Sequence, residues 1–265
     1  MKQILGKLIL TARKEIAVEF ADAVRSTAAE VWREENPNYQ SLLPKNFPED
    51  SNPFQTAKQD ESEEMLTCLK DLVESTFLRK KTRDRRGTTP VSLEVVAAKK
   101  VGNLANWLAY VKERERIRGN AREGAWMEPD VLTTKFPHPE LGALDDEVGE
   151  RWLFHGTGGA GLVGITDDDF CLDLSGSNAG ELFGKGVYLA ESCAKADEYS
   201  RNKAPRSADE VLNEHPDWYG LLVCRTTLGR VLVHAEQAVD VDSLMADVKR
   251  GRFDSVCGDR WLARG

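Results

Sequence analysis

Residues 182–200 have the sequence LFGKGVYLAESCAKADEYS, in which two glycines come shortly before an aromatic residue. A helix is predicted to begin after Ala190 and to carry Lys195 and Tyr199. Because Tyr188 and Tyr199 belong to different elements, their rings can flank a planar group. Such stacking contributes about 0.5–1.5 kcal/mol beyond the burial of area. This stretch therefore predicts a binding site for a flat nitrogen heterocycle.

A second short motif lies upstream, where residues 151–157 have the sequence RWLFHGT. An apolar, strand-like run ends at His155 and is followed by Gly156 and Thr157. A glycine at an exposed strand end lets a ligand approach the backbone closely. On its own, however, the motif fits a strand-end histidine with satisfied hydrogen bonds better than a binding site. The stretch at 182–200 shifts the balance toward a ligand site.

The segments around these motifs are short and separated by Gly and Asn, which predicts strands joined by tight connections. One helix is expected over residues 193–201, and a brief helix is expected to end near Ile165. The predicted strand-like segments are residues 151–157, 169–174, 184–190, 219–229 and 230–235.

The preceding part of the chain has a different character, and we place a domain boundary near residue 88, between a helical region (1–88) and a second domain (89–265). Apolar residues recur at helical spacing from Ile4 to Trp32. This amphipathic stripe can dock on a partner, although such stripes more often pack on the chain's own core. The other predicted elements are a linker (36–62), a helix (63–78), a strand-like stretch (91–96) and a helix (103–117).

The net charge of −8 and the pI near 5.2 argue against general attraction to nucleic acid. The single basic run can contact nucleic acid locally or act as a nuclear import signal, but a solvated linker is the favoured interpretation. The N-terminal apolar patch is too short for a signal peptide or a membrane span, which predicts a nuclear or cytoplasmic protein without membrane contact. The run consists of Arg79, Lys80, Lys81, Arg83, Arg85 and Arg86.

Cysteine and histidine spacing predicts no metal site. The five cysteines are odd in number and scattered, without a CxxC pair, which favours a reducing compartment. The acids at 167–169 lack the alternating spacing and the glycine of a calcium loop, so we interpret them as solvated. No role is assigned to His215 or His234, which have no cysteine partners.

Taken together, the two motifs resemble the PARP-type ADP-ribosyltransferase domain of the poly(ADP-ribose) polymerase superfamily. The resemblance rests on FHGT (154–157), GKGVYLA (184–190), Lys195 and Tyr199, and extends over roughly residues 91–265. It implies an α+β fold with a split, mainly antiparallel β-sheet and an NAD cleft, preceded by the helical N-terminal region. It also implies transfer of ADP-ribose from NAD to protein side chains with release of nicotinamide, without a metal.

The resemblance assigns roles residue by residue. His155 would anchor the NAD ribose, the Gly156 backbone would hold the nicotinamide carboxamide, and Tyr188 and Tyr199 would sandwich the nicotinamide ring. We therefore expect Gly156→Val to block NAD binding and leave the fold largely intact. The catalytic candidates are His155 and Tyr188, and the NAD-binding candidates are His155, Gly156, Thr157, Gly164, Tyr188, Ala190, Lys195 and Tyr199.

The sequence departs from the family pattern in three places. The glutamate that poly-forming members carry on a later strand is not found, since Glu236 comes too early and residues 253–265 resemble the stretch just ahead of that strand. We expect the last strands of the domain to be missing. Ala196 stands where many members have a carboxamide-binding serine, and Cys171 lies near a position where poly-forming members often have arginine. These departures favour transfer of single units.

Two alternatives to a transferase stay open at this point. One is a catalytically inactive module, or a fragment, that binds NAD or ADP-ribose, and the missing glutamate favours it. The other is an interaction protein whose helices before residue 88 are the functional part.

Overall fold

A computed structural model describes residues 29–43, 47, 56–82, 85, 88–121, 131–135, 138–174, 182–200, 215, 218–234 and 240–258. The strands are β1 (Thr56–Asp60), β2 (Lys99–Asn103), β3 (Glu150–Gly156), β4 (Leu221–Thr227), β5 (Val231–His234) and β6 (Ser255–Gly258). The α-helices with described bounds are α1 (Glu63–Ser75), α2 (Leu104–Ala121), α3 (Gly159–Asp167), α4 (Cys193–Ser200) and α5 (Val241–Lys249). Short 3-10 turns occur at Tyr39–Leu42, Leu132–Thr134, Pro139–Leu141, Asp146–Val148 and Leu172–Leu174.

The chain forms two compact units, one of residues 1–59 and 100–111 and the other of residues 60–99 and 112–265. In the first unit, Asn103 caps α2 because its Oδ1 accepts a hydrogen bond from the Asn106 N–H at 3.0 Å. The indole of Trp107 donates to the carbonyl oxygen of Leu42 at 2.7 Å. The site predicted from the motifs lies entirely in the second unit.

Helix α1 opens the second unit's core. Ser62 caps it by accepting a hydrogen bond from the Met65 N–H at 3.2 Å, and two acidic residues in its first turn suit the positive end of the helix dipole. Its buried residues, Cys68, Leu72 and Val73, recur at helical spacing on one face. This element confirms the helix predicted from residue 63, although it ends at Ser75 rather than at residue 78.

The sheets are small pairs of strands. β3 and β4 pair antiparallel along their whole length, with His155 opposite Leu222 and Gly156 opposite Leu221. β5 and β6 pair in parallel, and β1 pairs with β2. With helices packed beside small sheets, the domain is α+β, as predicted. Among the described residues the strands form three separate pairs, of which one is parallel.

The main core of the second unit lies where α1, β3 and α4 meet. It is built on Phe154, which is 1% exposed, and the other buried members are Leu72, Val73, Cys193 and Ala196. Burying a side chain of this size contributes about 1.5–3 kcal/mol relative to leaving it exposed. The residue just before His155 is therefore fixed in the core, which restrains the backbone position of the motif histidine.

Three predicted strand-like segments are not strands. Residues 91–98 have no regular hydrogen-bonding partner strand, and Leu93 and Val95 pack on the core instead. Residues 169–174 end in a 3-10 turn. In residues 184–190, Gly184 has φ of 86°, which interrupts an extended backbone, and only Ala190 bridges to Phe154. Apolar alternation cannot distinguish a strand from a packed, extended loop.

The interpretation of the basic run as a solvated linker is wrong for Arg85. This residue is 5% exposed, and its guanidinium lies 3.0 Å from an oxygen of Asp197 in α4. Sequence reasoning missed this because the acidic partner is 112 residues away in the chain. Arg83 and Arg86 lie outside the described residues.

The remaining N-terminal predictions are only partly covered. Of the predicted helix or helix pair over 4–32, only residues 29–32 are described, and the helix that contains them continues to residue 35. The predicted linker at 36–62 contains a 3-10 turn and β1. The boundary near residue 88 stays a prediction, and residues on both of its sides contribute to the second unit's core, Leu72 before it and Leu93 after it.

All five cysteines lie in the described part of the chain, and each is a free thiol. Burial raises the pKa of the Cys224 thiol to about 12, so this sulfur stays protonated at neutral pH. Of the helices that the structure describes, none is long and apolar enough to cross a membrane.

Candidate functional site

The centre of the candidate site is a contact between the two sequence motifs. His155, at the end of β3, has its Nδ1 atom 2.9 Å from the carbonyl oxygen of Tyr188, which is 33 residues away in the chain. Since a carbonyl oxygen only accepts, Nδ1 must carry the proton in this contact. The structure thus brings together the two residues predicted to be catalytic.

His155 is a neutral imidazole whose second ring nitrogen, Nε2, can accept a further hydrogen bond. Burial lowers the pKa of His155, and the hydrogen bond to the Tyr188 backbone acts against that shift. Phe170 packs edge-on against the ring with the centroids 5.0 Å apart. With Nδ1 as donor, the neutral ring leaves Nε2 as an acceptor. The group that Nε2 can recognise is therefore a hydroxyl or another donor.

The Tyr188 side chain forms hydrogen bonds with the backbone of the loop to which it belongs. Its hydroxyl donates to the carbonyl oxygen of Gly184 at 2.7 Å and accepts from the Phe183 N–H at 3.0 Å. A Cβ atom at Gly184 would lie 2.7 Å from the sulfur of Met245 in α5, so the loop rests directly on that helix. Tyr188 itself is 39% exposed, which leaves an anchored aromatic side chain accessible to a ligand.

Gly156 is packed against α4, and this corrects the prediction that Gly156→Val leaves the fold intact. A Cβ atom at Gly156 would lie 2.6 Å from the backbone carbon of Ala196 and 2.9 Å from Ser200 Oγ, and closer still to the Ala196 carbonyl oxygen. Helix backbone cannot move aside as a flexible side chain can. Any larger residue here displaces α4 from β3, so binding and folding are affected together.

The remaining predicted positions near α3 differ in their surroundings. Thr157 packs its side chain against Gly161, where a Cβ atom would lie 3.3 Å from the threonine Cβ and closer to its hydroxyl. Gly164 is exposed, and a Cβ atom there meets no atom within 4 Å. The structure gives Gly164 no packing reason to be glycine.

Ala190 and helix α4 form the other side of the site. Ala190 exchanges two backbone hydrogen bonds of 2.8 Å with Phe154, which ties the Tyr188 loop to β3. On α4, the ammonium of Lys195 lies 2.7 Å from Glu198 and 3.1 Å from the hydroxyl of Tyr199. Lys195 is therefore part of an ordered polar group, with Tyr199 as one of its partners.

Glu198 is the residue that sequence reasoning overlooked. Its side chain is 1% exposed, although it stands in a short helix beside Asp197, where a solvated acid is the ordinary expectation. The hydroxyl of Thr82 lies 2.6 and 2.7 Å from its two oxygens. The basic run upstream was the feature of the sequence that could have indicated this role, because it supplies Arg85 as a partner for Asp197 and Glu198.

The other acids and histidines considered in the sequence stay outside this arrangement. Residues 167–169 are exposed. His215 stacks on Trp218 at 3.8 Å between centroids, and His234 lies 6.0 Å from Phe183. Within the described residues, no group of three or more His, Cys, Asp and Glu side chains is placed to hold a metal ion. Glu236 lies outside the described residues.

The site is thus assembled on two neighbouring residues of β3. His155 contacts the Tyr188 loop through its ring, and Gly156 contacts α4 at Ala196 and Ser200, on either side of Tyr199 in the chain. Both tyrosine-bearing segments are therefore fixed against the same strand end. This can position two aromatic rings beside a hydrogen-bond acceptor, an arrangement suited to a planar group with a hydrogen-bond donor beside it.

Comparisons with known proteins identify relatives of this region. A family model described as the poly(ADP-ribose) polymerase catalytic domain matches residues 74–255, which is more than half of the 265 residues and includes both motifs. A stretch of 104 residues is 35% identical to "Poly [ADP-ribose] polymerase tankyrase" from Caenorhabditis elegans. That stretch covers 39% of this chain and 4% of the relative, so the chain spans a small part of that protein's length.

Proposed function

Because the chain belongs to the family of poly(ADP-ribose) polymerase catalytic domains, we propose that it binds NAD at the end of β3 and transfers ADP-ribose to protein side chains. Nicotinamide is the leaving group. NAD is the substrate, and the reaction draws on no metal. The matched relative, whose name includes poly(ADP-ribose) polymerase, supports the same reaction class.

The observation that carries the proposal is the hydrogen bond between His155 Nδ1 and the Tyr188 carbonyl oxygen at 2.9 Å. It joins the two motifs on which the family resemblance rests and fixes the tautomer of the histidine. The Nε2 atom is then available to accept a hydrogen bond from a ribose hydroxyl of NAD.

The aromatic side chains give the site its affinity for nicotinamide. Tyr188, anchored through its hydroxyl by the 183–188 loop, presents its ring to one face of the heterocycle, and Tyr199 on α4 presents a ring to the other. Stacking of this kind contributes about 0.5–1.5 kcal/mol per pair beyond area burial. The Gly156 backbone, at the same strand end, would read the carboxamide edge.

The chemistry that follows is substitution at the nicotinamide ribose. The bond between the ribose C1′ and the nicotinamide nitrogen breaks, its electron pair stays on the nitrogen, and nicotinamide leaves as a neutral molecule. Positive charge grows on the ribose in the transition state. A nucleophilic side chain of the acceptor protein then forms the new bond to C1′ and releases its proton to water. Orientation and a nearby negative charge are what such a step needs.

A second candidate function is an inactive module that binds NAD or ADP-ribose, and the acids around the site favour it. Glu191 accepts from the Leu132 N–H at 2.8 Å, Asp173 pairs with Lys185 at 2.7 Å, and Glu198 is enclosed by Thr82 and Lys195. Each of these three acids is already engaged by groups of the chain itself, which argues against a role in stabilising positive charge on the ribose.

One experiment separates these functions. The purified full chain is incubated with NAD labelled in its adenosine part, and nicotinamide release, covalent label on protein and the Kd for NAD are measured. His155→Ala removes the proposed ribose contact, and His215→Ala serves as the matched control because that ring is exposed and stacks only on Trp218 among the described residues. Transfer lost only in His155→Ala supports the transferase.

The other outcomes are equally informative. NAD binding that depends on His155, without release or labelling, supports the binding module instead. Absence of NAD binding by the unaltered chain, or equal behaviour of the two histidine variants, overturns both candidates.

A further inference from the structure

Helix α4 carries a carboxylate that is buried and yet fully engaged. Both oxygens of Glu198 contact the Thr82 hydroxyl, at 2.6 and 2.7 Å. One of them also accepts from the Lys195 ammonium at 2.7 Å, and that ammonium lies 3.1 Å from the Tyr199 hydroxyl. A continuous line of polar contacts therefore runs from Thr82 to Tyr199.

Arg85, in the same basic run as Thr82, also contacts α4. The Arg85 side chain is 1% exposed and lies 3.0 Å from Asp197 and 3.5 Å from Glu198. Its other terminal nitrogen donates to the Ala194 carbonyl oxygen at 2.5 Å. Residues 82 and 85 thus contact α4 through two carboxylates and a backbone carbonyl.

This arrangement sets the position of Lys195. A lysine side chain is long and flexible, and its ammonium is ordered only where fixed acceptors surround it. Glu198 is such an acceptor because burial excludes water from it and the Thr82 hydroxyl restrains both of its oxygens. Without Thr82, the restraint left on the carboxylate besides Lys195 is the longer 3.5 Å contact with Arg85, so the carboxylate can shift and the ammonium loses the geometry that places it beside Tyr199.

We propose that Thr82 and Glu198 are positioning residues, which act through Lys195 to hold Tyr199 in the orientation that receives nicotinamide. The inference rests on the proposed function, since Tyr199 is a ligand-binding residue only if NAD binds there. It adds a role for the basic run, which then supports the site from a segment far upstream in the chain.

The test compares Thr82→Val, which keeps the shape and removes the hydroxyl, with Thr82→Ser, which restores it. Thr88→Val is the matched control, because Thr88 is an exposed threonine of the same segment. Two quantities are measured on the full chain. One is the Kd for NAD, and the other is the rate at which an amine-acetylating reagent labels Lys195, followed by peptide mass spectrometry.

In Thr82→Val, we expect the reagent to label Lys195 several-fold faster. The Kd for NAD should rise roughly fivefold, a typical coupling for residues in one contact network. Thr82→Ser and Thr88→Val should match the unaltered chain. In a Lys195→Met background, Thr82→Val should no longer change the Kd, since Thr82 acts through Lys195.

Two results would overturn the proposal. One is an unchanged labelling rate of Lys195 in Thr82→Val, and the other is an effect of Thr82→Val on NAD binding that persists in Lys195→Met. If the unaltered chain binds no NAD, the proposed function fails by itself, and the labelling rates still decide whether Thr82 positions Lys195.

Discussion

Replacing Gly156 by alanine tests whether the strand end and α4 are packed backbone to backbone. The added methyl group would lie 2.6 Å from the backbone carbon of Ala196 and closer to its carbonyl oxygen. Carbon atoms in favourable contact are about 3.5–4.0 Å apart. The helix must therefore move by roughly 1 Å relative to β3 for the variant to fold.

The cost follows from which atoms are crowded. Overpacked sites typically lose about 1–3 kcal/mol, and the larger losses occur where the neighbours cannot rotate away. Here the neighbours are helix backbone, so we expect about 3 kcal/mol for Gly156→Ala. At about 2–4 °C per kcal/mol for a domain of this size, the melting temperature should fall by roughly 6–12 °C.

The assay is thermal unfolding followed by circular dichroism, with Gly119→Ala as the matched control. Gly119 is exposed in α2, and a Cβ atom there meets nothing within 4 Å. Alanine at such a helical position should stabilise the protein by about 0.5–1 kcal/mol. If Gly156→Ala unfolds within about 1 °C of the unaltered chain, the packing argument is wrong, and the glycine is explained by ligand approach alone.

Two further predictions concern buried acids away from the site. Glu150 is fully buried and lies 3.3 Å from Arg114 and 2.5 Å from Arg225, so Glu150→Gln should destabilise the domain by about 3–5 kcal/mol in urea unfolding. The exposed Glu147→Gln should change stability by no more than about 0.5 kcal/mol, and equal effects of the two variants would contradict the reasoning. For Asp254, burial raises the pKa, but hydrogen bonds and charge from Arg230, then Arg116, outweigh it and lower the pKa below its ordinary value. Asp254→Asn should therefore cost stability at pH 7, and this cost should shrink as the pH falls below about 4, where the unfolded carboxyl takes up its proton. A cost that is constant between pH 7 and pH 3 would argue against the ion pair.

Short stretches of sequence predicted the two motifs and several helices, because these features depend on residues close together in the chain. The family resemblance inferred from FHGT at 154–157 and GKGVYLA at 184–190 is confirmed by the match over residues 74–255. The helices beginning at Glu63 and Leu104 were predicted from their helical patterns, and the helix at Cys193 was predicted from its place after the GKGVYLA motif. The roles assigned to individual residues around NAD stay predictions.

The predictions that failed concerned residues whose packing partners are distant in the chain. Residues 91–98 have the composition of a strand, but a strand exists only if another one pairs with it, and Leu93 and Val95 pack on the core instead. Gly156→Val was expected to leave the fold largely intact because only ligand approach was considered, yet a Cβ atom at Gly156 would meet Ala196 and Ser200. A glycine is compatible both with a ligand close to its backbone and with close packing against a helix, and the sequence does not distinguish these two cases.

The sequence alone determined the two motifs and the order of most elements, because helix periodicity and glycine placement are properties of a few consecutive residues. The α+β class followed from the family resemblance that the motifs carry. Only the tertiary structure decided that Arg85 is buried under α4, that Thr82 encloses Glu198, and that His155 contacts the Tyr188 backbone. Each of these contacts joins residues 33 or more positions apart. Charge pairing and hydrogen bonding depend on distance in space, which a linear pattern does not contain.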